Sequence, residues 1–504
     1  MQTRRRFVAT GAGALSATAF PLSSWLGHFA HAQAATKLTR HDVASTEGQA
    51  MLKIYAGAVG KMMATTQSNP GNPLSWLFQW YTHAVPDDRT KAAELARIYP
   101  NASDPNRALA SKVWSTCEAH SNPAREDFFF PWHRLFLIYF EKIIRQVSGE
   151  PKFTLPYWNY TGPSPQNRIL PVEFRSSGDP VWKPLFRPDR KAGTNNGVPI
   201  DQISGANPID INAMKSIVYG QTAGDAGLCS NVDNNPHGSV HVDVGNQRGM
   251  GRVPWAGNDP IFWLHHCNID RIWASWIKAG GADPTSQGFK NEKFTFADSN
   301  GARVEANVGS VLDLDALDYD YDRYIDRPPG SPPFPSGAAP EGFAASAVTL
   351  GASGPVTLGA SPTTVSLKAP PAPEGIEEDL STRLESIEKG NVVYLRLNDV
   401  RASAPPDVGY DVYLEPSGEE QLKRSESTYV GSLSFFEAAP HGRQHEATEQ
   451  ERKGRNYSFV VTDRVRELLK ENRLSPEPNV TLVPNGTPSE GAVPKIGSVS
   501  LVSS

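Results

Sequence analysis

Two stretches of this chain set histidine inside apolar helical patterns, and that feature constrains the fold more than any other. "FFFPWHRLFLIYFEKIIRQV" (Phe128 to Val147) and "GNDPIFWLHHCNIDRIWASW" (Gly257 to Trp276) repeat apolar residues at three and four spacing, as a helix facing a core does. His133 stands in the first, and the adjacent His265 and His266 in the second. A third segment, "NPLSWLFQWYTHAV" (Asn72 to Val85), has the same spacing and carries His83 near its end. Buried polar rings need partners. These helices must therefore meet one another, or meet something that the imidazoles hold in common.

Of 12 histidines, seven fall in the helical part: His83, His120, His133, His237, His241, His265 and His266. "NNPHGSVH" spaces His237 and His241 four apart, so they share a helical face. Asn235 and Pro236 suit the cap and first turn of a helix beginning there. An HxxxH pair reaches one metal ion from adjacent turns. The metalloprotease version needs glutamate after the first histidine, and Gly238 stands there instead. Taken singly, each histidine reads as a hydrogen-bonded core or surface residue. Together, many imidazoles with few carboxylates suit copper or zinc, not calcium or magnesium. Zinc hydrolases usually add a carboxylate or thiolate ligand, whereas an all-imidazole set large enough for two ions points to a copper pair.

The rest of the chain frames that centre. With 504 residues, 39% hydrophobic and 20% charged, it has the makeup of a globular protein of two domains or more. A net charge of -5 offers no nucleic-acid surface, and no mature segment is long enough to span a membrane. Three cysteines, none in a CxxC pair, build no disulfide framework. Residues 1–32 read as a twin-arginine export signal, with Arg4 to Arg6 before an apolar stretch and Ala30-His31-Ala32 at a cleavable site. That implies a periplasmic or secreted protein. Residues 36–327 form a mainly α domain with long loops. Residues 328–346 are a proline-, glycine- and alanine-rich linker, and 347–504 an all-β, sandwich-like C-terminal domain interrupted by a short helix at "DRVRELLKENR".

At this point the motifs resemble a known family. "FFFPWHRLFLIYFE" and "NDPIFWLHHCNIDRIWASW" resemble the two copper signatures of the type 3 copper polyphenol oxidases, the tyrosinases and catechol oxidases. "NPLSWLFQWYTH", "NPHGSVH", the Tyr319-x-Tyr321 motif and "YVGSLSFFEAAPHG" extend the likeness to bacterial members with a plant-like C-terminal β domain. The resemblance implies two copper ions, one held by His83, His120 and His133, the other by His237, His241 and His266. His265 is then a pocket residue, and Asp270 is placed to orient an imidazole. It also implies oxidation of o-diphenols to o-quinones with dioxygen, and a β domain that covers the pocket.

The chain departs from the family pattern in four places. The family's second ligand usually lies nine before the third, where Ala124 stands; His120 is four further back. Cys117 precedes His120 as CxxH where CxH is usual, so a thioether to that histidine competes with a free buried thiol. Asp233 replaces the usual glutamate credited with holding a proton-accepting water, and Val253 replaces a bulky phenylalanine, leaving the pocket more open. Hydroxylation of monophenols and oxidation of o-aminophenols are close variants of the activity. The rivals are a non-enzymatic dioxygen carrier on the same copper pair, and a binding protein with a vestigial site.

Overall fold

The computed structural model describes residues 37–117, 128–335, 347–370, 391–416, 428–436, 438–439 and 454–504. The export signal, His120 and residues 336–346 of the expected linker lie outside them. Within the unit Lys37–Ser504, two apolar cores form, one among helices and one between sheets.

The helical core is built by the predicted segments. The helix Phe129–Ser148 and the helix Ile261–Lys278 pack on each other, and Thr46–Ser68 packs on the first. Nearly every residue of Ile261–Lys278 is buried, so this helix runs through the core rather than along it. Phe140 stacks on Trp263 across the pair, ring centroids 3.4 Å apart. Short helices end where their sequence says they should. Ser75 accepts from the Phe78 amide to open Trp76–His83, a cap that stabilises a helix by about 1 kcal/mol.

A buried ionic network ties the chain's first strand to this core. Leu38–Arg40 pairs parallel with Tyr319–Tyr321, and Arg40 reaches inward. Its guanidinium takes both oxygens of Glu141 at 2.9 and 3.0 Å, and one oxygen of Asp270 at 3.0 Å. Arg134 takes the other Asp270 oxygen at 2.5 Å, and the Tyr319 and Tyr321 hydroxyls donate to Asp270 at 2.6 and 2.7 Å. Burial alone would raise the Asp270 carboxyl, but Arg134, Arg40 and the two phenols hold it below the usual carboxylate range.

The β region forms two four-stranded antiparallel sheets. One orders Tyr429–Leu433, Tyr410–Glu415, Asn479–Pro484 and Thr363–Ser366; the other orders Arg455–Val460, Val393–Val400, Ser498–Ser503 and Val348–Ala352. Their alternating apolar residues fill a sandwich core, and Thr462–Lys470 is the expected short helix. Arg455–Val460 lies against the helix Gly227–Val232, so the sandwich docks on the segment that leads into the paired histidines.

Candidate metal centre

His83 closes the Trp76–His83 helix, and His133 stands in the first turn of Phe129–Ser148. His266 and His265 lie one turn into Ile261–Lys278, and His241 lies in Ser239–Val244. All five, with His237, are buried to 2% exposure or less.

The paired histidines are held differently from the simple helix that their spacing suggests. Asp233–Gly238 is an irregular wide turn in which Asn235 is extended, at φ -145° and ψ 125°. Asn235 does not cap: its amide donates to the Pro208 carbonyl and the Ser432 hydroxyl. The rings of His237 and His241 nonetheless meet, with centroids 4.6 Å apart.

Two donor clusters result. His83, Cys117 and His133 form one, and His237, His241, His265 and His266 the other; within each, the donor atoms lie within 4.8 Å of one another. The clusters adjoin, because the His133 and His266 rings stack with centroids 4.2 Å apart and 9° between planes. Cys117 Sγ lies 3.5 Å from His133 Nε2. His120, the expected third ligand of that cluster, lies outside the described residues.

Carbonyl oxygens only accept, and this fixes ring orientation. His133 Nδ1 donates to Phe129 O at 2.7 Å and His241 Nδ1 to Met250 O at 2.8 Å, which leaves each Nε2 as a lone-pair donor. Burial pushes His133 and His237 down to about 3, and His241, His265 and His266 well below the ordinary histidine value. The rings are therefore neutral near pH 7, as metal ligands must be. His241 Nε2 and both nitrogens of His265 and His266 are buried with no hydrogen-bond partner among the described residues. Orphaned polar atoms cost about 1–3 kcal/mol each. A soft or borderline ion that accepts nitrogen lone pairs removes that cost, so the donor set fits copper.

Three sequence expectations meet a different geometry. Asp270 orients no imidazole among its hydrogen bonds; two buried arginines and two phenols claim its oxygens, and these cations outcompete a neutral ring. Asp233, expected to hold a water, is 2% exposed and sits one turn before His237, its Oδ1 2.9 Å from that ring's Nδ1. Burial raises its carboxyl to about 7. Val253, expected to open the pocket, is 2% exposed in an apolar cluster with Val242 and Phe436. The space is filled from the β region.

Phe436 is the residue that sequence reasoning missed. It follows the strand Tyr429–Leu433, stacks on His241 with centroids 4.3 Å apart and 10° between planes, and meets His237 in a T-shaped pair at 5.7 Å. Nothing local in "SFFEAAP" marks the second phenylalanine as facing another core rather than its own. His265 lies against His237, His241 and Tyr160, with no ring contact to His83 or His133. His266 alone of the pair faces both clusters.

Residues 73–198 and 207–279 match the common central domain of tyrosinase, and residues 346–504 match a domain of unknown function (DUF7868). The tyrosinase HcTyr1 of Hahella sp. (strain CCB-MM4) is 28% identical over 483 residues, covering 89% of this chain and 96% of that one. These likenesses support a type 3 copper polyphenol oxidase. The chain is also 27% identical to the chloroplastic polyphenol oxidase C of Solanum lycopersicum, over 57% of its own length and 47% of the tomato chain. It thus spans about half the length of that plant relative. In fold it is similar to latent apple tyrosinase, with a TM-score of 0.59 at 23% identity, over 93% of this chain and 98% of that one. A latent aurone synthase gives 0.61 at 19% identity, over 93% and 89%. The chain is an oxidoreductase of the copper-dependent, phenol-oxidising kind, and among its described residues no helix is long and apolar enough to cross a membrane.

Proposed function

We propose that this polyphenol oxidase oxidises catechols to o-quinones, reducing dioxygen to water. The reading is carried by two adjoining clusters of buried, neutral imidazoles in a chain of this family. His83, His120 and His133 hold one copper ion, and His237, His241 and His266 the other. When bound, the copper pair supplies dioxygen binding and the redox steps of phenol oxidation. The chain's own residues do the rest. Phe129 O and Met250 O fix the Nδ1 protons of His133 and His241, which leaves each Nε2 as the atom that would bind an ion. The Asp233 carbonyl, 3.3 Å from His237 Nδ1, fixes His237 in the same way. Val242 and Val253 wall the approach with apolar surface that suits an aromatic ring.

Gly238 and Val242, each directly after a paired histidine, carry no polar group that would take a phenol proton. This favours diphenol oxidation as the main activity, with hydroxylation of monophenols as a lesser one. Phe436 occupies the position where a substrate ring would meet His241, so the β domain holds the intact enzyme latent. The twin-arginine pattern supports export after folding and metal loading.

The test is copper quantitation with oxygen uptake on catechol and on tyrosine, before and after cleavage near residues 328–346. Two coppers per chain, catechol turnover and a rise on cleavage are expected. Copper well below two, or binding of dioxygen without quinone formation, would refute the reading.

A further inference from the structure

We propose that Asn234 is a positioning residue for the second copper site, through which docking of the β domain sets the geometry of His237. The inference rests on the two-copper reading above.

The segment Asp233–Gly238 cannot hold its own shape. Asn235 is extended in the middle of it, so the regular helical ladder that fixes a ligand's direction is interrupted between Asp233 and His237. The bonds that replace the ladder come from the other core. The Asn234 amide donates to Ser432 O at 2.9 Å, and its oxygen accepts from the Ser434 amide at 2.7 Å. One side chain thus pairs with the end of the Tyr429–Leu433 strand as a neighbouring strand would. Asn235 donates to Ser432 Oγ at 2.8 Å. One turn earlier, Asn231 accepts from the Ser458 amide at 2.9 Å and donates to Ser458 Oγ at 3.0 Å.

The same contact reaches the plug. Ser434, whose amide Asn234 holds, accepts from the Phe436 amide at 3.2 Å. A side chain at Gly238 would sit 2.8 Å from Ser434 Oγ and 3.2 Å from Phe436 Cβ, so the ligand segment and the plug are in direct apposition. Docking therefore does two opposed things at once. It holds His237 and Asp233 in the arrangement that a metal ion needs, and it lays Phe436 over the ring that a substrate needs.

The seam is polar and hydratable, which suits parting rather than permanent burial. A cavity of about 30 Å³ runs along it, lined by Asp210, Asn231, Asn234, Asn235, Ser432 and Ser458. That is room for about two waters.

The experiment measures copper affinity in the full-length chain by competition with a chelator. The unaltered protein binds two ions, and a value below two would count against the two-copper reading, not against this one. Asn234→Ala is expected to weaken one ion by about tenfold or more, as loss of an outer support does, and to leave the other unchanged. Ser432→Ala, which removes the Asn235 bond and the Ser432 Oγ bond to Pro208 O but keeps both Asn234 bonds, shifts the same ion by less. Gln221→Ala, which breaks an exposed bond to Asn456 elsewhere on the seam, changes neither ion. Both ions held as tightly in Asn234→Ala as in the unaltered protein would overturn the proposal. So would equal weakening of both. Should Asn234→Ala fail to fold, Ser432→Ala decides alone, and an unchanged second ion there overturns it.

Discussion

Phe436→Ala tests whether the β domain holds the enzyme latent by occupying the site. The ring is 5% exposed, stacked on His241 at 4.3 Å and packed with Val242 and Val253. Truncating a buried phenylalanine costs about 3–5 kcal/mol where the cavity stays open. The lower end applies here, because water can enter the space left over the imidazoles. Since those contacts exist only while the sandwich is docked, the loss falls on docking. About 3 kcal/mol is roughly a 100-fold shift toward the undocked form. Oxygen uptake on catechol by uncleaved Phe436→Ala should rise by about that factor, up to the rate of the cleaved enzyme, after which cleavage adds nothing. Phe435→Ala is the comparison: Phe435 packs inside the sandwich against Tyr410 and touches no imidazole among the described residues. If Phe436→Ala keeps both coppers and its rate stays at that of the intact enzyme, the plug argument is wrong.

Other outcomes follow from the same geometry. His266→Ala should lose one copper, whereas His265→Ala should keep two, because only His266 faces both clusters; metal analysis of purified variants decides it. Asp270→Asn leaves Arg134 buried without its paired carboxylate, and Arg40 with Glu141 alone, and should cost about 3–5 kcal/mol in denaturant unfolding. A loss under about 1 kcal/mol would mean that the network relaxes. Glu94 gives an acid limb. Burial would raise its carboxyl, but Arg97, Arg89 and the Tyr81 hydroxyl hold it at about 2. Its folded value lies below the unfolded one of about 4.3, so its stabilisation is complete above that pH and is lost as pH falls toward 2. Glu94→Gln should remove that limb from a pH series of unfolding midpoints.

Much of the centre was legible because burying an imidazole is costly enough to leave a mark in sequence. His83, His133 and His266 stand in runs of aromatic and aliphatic residues where a histidine is out of place. The fourfold spacing of His237 and His241 survives even though the turn around Asn235 is not helical. The errors came where identity had to be turned into direction. Asp270 sits four after His266, which suggested an imidazole partner; nothing local reveals that Arg40, more than 200 residues earlier, arrives with a charge. The burial of Asp233 against His237 is likewise invisible in a string of polar residues such as "VDNNPH". Phe436 was missed for a related reason, since alternation along a strand does not say which residue beyond its end turns outward. The sandwich itself was readable from its short β-branched runs, but its docking was not. That docking rests on asparagine and serine side chains, which sequence reading assigns to loops.

The parallel pairing of Leu38–Arg40 with Tyr319–Tyr321 has a consequence for synthesis. Its partner strand leaves the ribosome some 280 residues later, so the core stays unclosed while most of the chain is being made. Arg40 can meet Glu141 once that residue emerges, and Asp270, when it follows, finds Arg134 already made. Only the arrival of the two tyrosines completes the network, so the helix bearing His266 is tied down late. A nascent chain of this design stays a loose trap for metal until it is nearly finished.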